Sequence, residues 1–125
     1  MNDSKGFDRT AENIGNVMSL QHINFTVADQ QMAYCFYISG LGFTRDPYVD
    51  FGSLLWVNAG EQQFHILPTG DAQKWRGHIA VVVPDLADLK RRLESVVKPL
   101  ADTAFAWEEK DDYFGLTCPW GNDIR

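Results

Sequence analysis

The chain has few cysteines, no extended block of lysine and arginine, no long apolar run and very little histidine. Its two cysteines, Cys35 and Cys118, fall on segments expected to be regular elements, so no disulfide framework is expected. A reducing cytoplasm is the expected compartment. Eleven Lys and Arg stand against seventeen Asp and Glu, a net charge of −6. Binding to nucleic acid or to an anionic membrane rests on clustered cations, so the charge weighs against the first and disfavours the second. The short Lys90-Arg91-Arg92 run reads as a solvated helix face, and Glu108 to Asp112 as a polar hairpin. No apolar stretch approaches the roughly 20 residues of a membrane span. Residues 1–17 are polar and lack the apolar core of a signal peptide, so they are expected to form a mobile N-terminal arm.

Against these absences stand 45% hydrophobic residues, 13% of the chain being aromatic. That is enough for a proper core, and 125 residues correspond to one domain. Within it the sequence repeats itself. His22-Ile23-Asn24-Phe25-Thr26-Val27-Ala28-Asp29 returns as His78-Ile79-Ala80-Val81-Val82-Val83-Pro84-Asp85. Both copies match His-Ile-x-x-x-Val-x-Asp, and the offset is 78 − 22 = 56 residues. A fixed-period repeat indicates a duplicated structural unit. The expected units are 18–70 and 76–125 within a single domain 18–125.

Each unit reads as β-α-β-β-β. In the first, Ile23, Phe25 and Val27 alternate with His22, Asn24 and Thr26, the mark of a strand with one apolar face. Asp29 is placed to cap a helix bearing Ala33, Phe36, Tyr37 and Leu41 at helical spacing, and Gly40 and Gly42 supply the stop. Strands are expected at Thr44–Val49, Leu54–Ala59 and Gln62–Leu67, with turns at Asp50 to Ser53 and at Gly60-Glu61. Pro68 to Gly77 links the units. The second unit is expected as a strand at His78–Val83, an Asp85-capped helix bearing Leu86, Leu89, Leu93 and Val96/Val97, and strands at Ala104–Glu108 and Tyr113–Cys118. Pro119-Trp120-Gly121 then turns into a last strand reaching Arg125, either short or cut short.

The paired units, the two His-Ile-x-x-x-Val-x-Asp openings and the closing Pro-x-Gly-Asn turn resemble the vicinal oxygen chelate superfamily. That group includes glyoxalase I, extradiol dioxygenases, fosfomycin-resistance proteins and bleomycin-binding proteins. The resemblance covers about residues 18–125. It implies an α+β fold whose units pair into a cup-shaped mixed sheet with helices outside. It also implies metal ligands at four equivalent strand positions, here His22, His65, His78 and Arg125. The match holds at His22 and His78. Histidine replaces the usual acid at 65, and arginine replaces the usual glutamate at 125. Those departures disfavour glyoxalase I. The stretches Ala104 to Trp107 and Tyr113 to Gly115 lack the lysine and tyrosine pattern of fosfomycin-resistance proteins. A histidine near position 65 acts as acid/base in extradiol dioxygenases, so His65 is the candidate catalytic residue.

All three histidines of the chain fall on those positions and on the polar phase of their strands. Three imidazoles and a water suit zinc, iron, nickel or copper, with manganese a further divalent candidate. Arg125 opposes a metal. A dication ~5 Å from a guanidinium at an effective dielectric of ~20 costs about 6–7 kcal/mol. Trp56 is a candidate pocket wall, and Asn58 and Asn24 share the strand faces of Trp56 and His22. Most other aromatics, Tyr48, Phe51, Trp75 and Trp107 among them, read as core or dimer packing. Two functions stay open. One is a metalloenzyme, glyoxalase- or dioxygenase-like, using His22, His65 and His78. The other is a metal-free binding protein of the bleomycin-resistance type with Arg125 as anion partner. Either takes a small-molecule ligand, and a homodimer is expected because the short strands leave open edges.

Overall fold

The computed structural model describes residues 15–17, 19–48 and 54–125. The arm at 1–14, the turn at 50–53, Phe51 and the end of the expected second strand at Val49 lie outside the described residues. The first unit contains β1 (His22–Val27), α1 (Gln30–Ala33) continuing as a π-helix over Tyr34–Gly40, β2 (Thr44–Arg45), β3 (Leu55–Ala59) and β4 (Gln62–Pro68). The second contains β5 (His78–Ile79), α2 (Leu86–Ser95), β6 (Ala106–Glu109), β7 (Phe114–Thr117) and β8 (Asp123–Ile124). The architecture is α+β, with two βαβββ units.

The strands form two four-stranded mixed sheets in matching order, β1-β4-β3-β2 and β5-β8-β7-β6. In each, the opening strand runs parallel to the closing one: His22 faces Gln63 in the first sheet and His78 faces Asp123 in the second. The aspartate that ends each sequence repeat caps the helix that follows. Asp29 accepts from the Met32 amide, and Asp85 from the amides of Ala87 and Asp88. Capping satisfies helix amides that have no partner within the helix. Asp85→Ala is therefore expected to lower stability by about 1 kcal/mol, read as a shift in the urea midpoint. No measurable shift would mean the cap is not needed.

Apolar alternation places the core. Phe25, Val27, Leu55, Val57, Phe64 and Ile66 point from the first sheet onto buried Ala33, Phe36 and Tyr37. The helix bearing them is wider than α spacing alone anticipates. The Leu41 amide reaches five residues back to the Phe36 carbonyl at 2.8 Å, a π-type bond. Gly40 lets this helix approach α2: a Cβ there would lie 3.4 Å from Val96 Cγ2 and 3.9 Å from Leu93 Cδ2. On α2, Leu89, Leu93 and Val96 are buried, whereas Val97 turns out to be exposed.

The second unit's strands are shorter than expected. Only His78–Ile79 of the expected His78–Val83 strand pairs with β8. Val81 donates one further bond to the Arg125 carbonyl. Val82 is 97% exposed. The linker is tied to both sheets: Thr26 donates to Gln73, and Asn122 bonds Gln73 and Trp75. No described helix is long and apolar enough to cross a membrane.

Candidate functional site

Three strands of the first sheet carry one ring each on the polar face. The ladder sets Trp56 on β3 directly opposite His65 on β4. On the other side of β4, β1 sets His22 beside Gln63 and Asn24 beside His65. The rings close into a row. The indole of Trp56 stacks on the imidazole of His65 at 3.8 Å between centroids and 6° between planes. His65 in turn stacks on His22 at 4.1 Å and 20°. Trp56 and His22 are half-buried, and the central His65 is buried. Since β1 is the edge strand of its sheet, the row ends at His22, whose ring stacks among the described residues on His65 alone.

A hydrogen-bond chain holds the middle ring. The Gln63 amide nitrogen donates to Asp46 Oδ2 at 2.6 Å and to Asn58 Oδ1 at 2.8 Å. Its oxygen therefore faces His65 Nε2, 2.9 Å away. An amide oxygen only accepts, so His65 carries its proton on Nε2. Burial holds the His65 imidazole below its ordinary value of 6.5; His22 beside it adds to that, and Asp46 opposes it. His65 is accordingly neutral at neutral pH. The unfolded chain takes up this proton first as pH falls, so the stabilisation is present above about pH 6.5 and is lost as pH drops through the folded value. The melting temperature is expected to fall between pH 7.5 and 5, with a shallower slope in His65→Phe. Equal slopes would exclude His65 as the cause.

The other candidates lie elsewhere. Asn24 is exposed beside the row, and Asn58 belongs to the Gln63 chain. His78 is exposed on the second sheet, opposite Asp123. Arg125 lies over the Tyr113 ring at 5.9 Å and lines a shallow cavity of about 340 Å³ with Lys110, Glu108 and Thr117. Sequence reasoning missed the part Gln63 plays in fixing the His65 ring, and it missed Asp46 altogether. The strand phase of Gln63 was the available signal. Nothing comparable marks Asp46, which reaches Gln63 through cross-strand register.

No family model matches the sequence, and no curated protein matches it either. Solved structures do. A protein assigned to the glyoxalase family from Bacillus anthracis is 19% identical, with a TM-score of 0.60 over 88% of this chain and 93% of that one. TnmS3, an antibiotic binding protein from Streptomyces sp. CB03234, is 20% identical, with a TM-score of 0.53 over 86% and 93%. A glyoxalase/bleomycin resistance protein/dioxygenase from Alicyclobacillus acidocaldarius is 15% identical, with a TM-score of 0.50 over 85% and 87%.

The chain has the vicinal oxygen chelate fold. At these identities the likeness carries the fold and no particular activity.

The metal that the family resemblance implies can be tested against the residues present, and as placed they do not fit it. An imidazole binds a metal through an in-plane lone pair, so its edge faces the ion. His22 and His65 instead lie face to face. Gln63 engages His65 Nε2 and Gln21 Oε1 lies 2.8 Å from His22 Nδ1, which leaves one ring nitrogen of each histidine open among the described residues; it is the stacked placement that does not suit a shared ion. Among the described residues, no group of three or more His, Cys, Asp and Glu is placed to hold a metal ion.

Proposed function

We propose that this protein is a metal-free binding protein for a small planar aromatic ligand, of the bleomycin-resistance type, and that the ring row is its recognition surface. The observation that carries this reading is the His22–His65–Trp56 stack. Aromatic pairs gain about 0.5–1.5 kcal/mol beyond the area they bury, and a flat ligand extending the row at His22 gains the same kind of contact. The Asp46–Gln63–His65 chain holds the surface in place before binding, which lowers the ordering cost. Asn24 is an exposed hydrogen-bonding side chain on that face. Arg125 is the anion partner only for a ligand that reaches the second sheet. The presence of an antibiotic binding protein among the structural neighbours agrees with a binding role. A homodimer in the cytoplasm, with both cysteines kept as free thiols, belongs to the same proposal; light scattering tests the dimer.

Calorimetry on chelator-treated protein tests the function. Planar probes such as 2-naphthol and 1,4-dihydroxyanthraquinone are expected to bind, saturated analogues such as 2-decalol at least tenfold more weakly, and zinc without a tight equivalent. Binding of the planar probes only after zinc is added would overturn the reading in favour of a metalloenzyme with His65 as its acid/base group.

A further inference from the structure

A second concavity lies in the seam between the two units. Its volume is about 750 Å³, within the roughly 300–1,000 Å³ of small-molecule sites. Ile23, Phe43 and Phe64 form the wall from the first unit, and Ile79, Val83 and Leu89 form the wall from the second. Ile23 and Phe64 sit on the opposite strand phase from His22 and His65, while Asn58 and Gln63, from the chain that holds His65, reach the rim of the seam. One wall is the stretch Ala80–Val83, which leaves its sheet after the Val81–Arg125 bond.

The charges lining the seam select the occupant. Asp85, Asp88 and Arg92 are the charged side chains there. Arg92 Nε donates to Asp88 Oδ2 at 2.9 Å, Asp88 is also met by Arg91, and Asp85 Oδ1 is engaged by the amides of Ala87 and Asp88. Each charge thus has its partner within the protein. A charged ligand would give up hydration there and gain no unmatched counter-charge, whereas an uncharged one gains the full apolar wall. Branched aliphatic side chains dominate that wall, which suits a compact aliphatic body. We infer that the seam is a second binding site, for an uncharged aliphatic small molecule, distinct from the ring surface at His22.

Methyl NMR on the full chain tests this with 1-adamantanol as the probe. Saturable shifts are expected at the methyls of Ile23, Ile79, Val81, Val83 and Leu89. Adamantane-1-carboxylate and 1-adamantylamine are expected to bind at least tenfold more weakly. Val81→Trp, at a half-buried wall position, should fill the seam and weaken 1-adamantanol at least tenfold, while the Trp56 and His22 signals keep their positions. Val83→Phe is the alternative should Val81→Trp fail to fold. Absence of saturation, equal binding of the charged analogues, or unchanged affinity in the filled variant would overturn the inference. So would loss of 1-adamantanol binding as protein concentration rises together with a dimer in light scattering, because that outcome gives the seam to a second copy of the chain.

Discussion

Replacing Phe36 by alanine is expected to remove about 3–5 kcal/mol of stability. Phe36 is fully buried on the π-helical stretch. It meets Tyr37 edge-to-face at 4.8 Å and Phe105 of the second unit at 5.8 Å. Its ring therefore joins the two units as well as filling the core. A small domain holds only about 5–15 kcal/mol in total, so the variant should melt far below the parent or remain partly unfolded at room temperature. Phe105→Ala, at a half-buried position, is expected to cost clearly less. Urea unfolding compares the two. A loss under about 1.5 kcal/mol for Phe36→Ala would mean that the core collapses around the gap and that the units do not depend on this ring.

Trp56→Ala is expected to weaken 2-naphthol binding about tenfold, the equivalent of about 1.4 kcal/mol. The indole covers one face of His65 at 3.8 Å. Its removal hydrates that ring and loosens the row up to His22. The same variant should raise the His65 pKa toward the ordinary histidine value, because burial is the main cause of its depression and water would replace the indole. Trp56→Phe keeps a flat surface and should hold affinity within about threefold. Loss of affinity with the His65 titration unmoved would separate the ligand contact from the stack and contradict the row as a single surface.

Much of this was legible in the sequence. Two copies of His-Ile-x-x-x-Val-x-Asp carry the duplication, and period two places the histidines on the polar face. What was not legible is how rings meet across strands. Strand phase says that His22, His65 and Trp56 share a face; it does not say that they stack, because stacking depends on register between residues far apart in sequence. The same gap hid Asp46. Nor does strand phase say how His78, on the second sheet opposite Asp123, stands relative to the other two histidines. The short fifth strand was not legible either: Ala80–Val83 has strand composition, yet a ladder needs a paired neighbour, and β5 pairs with β8 only at His78 and Ile79.

The central claim is that the histidines serve as ring surface rather than as metal ligands. His22→Phe tests it most directly, since it keeps a flat ring at the end of the row and removes both nitrogens. Affinity for 2-naphthol, measured by calorimetry in the presence of a chelator, is expected to stay within about threefold of the parent, while His22→Ala loses about tenfold. If His22→Phe abolishes binding as completely as His22→Ala, and if parental binding depends on added zinc or nickel, then the nitrogen and not the ring is what the site uses.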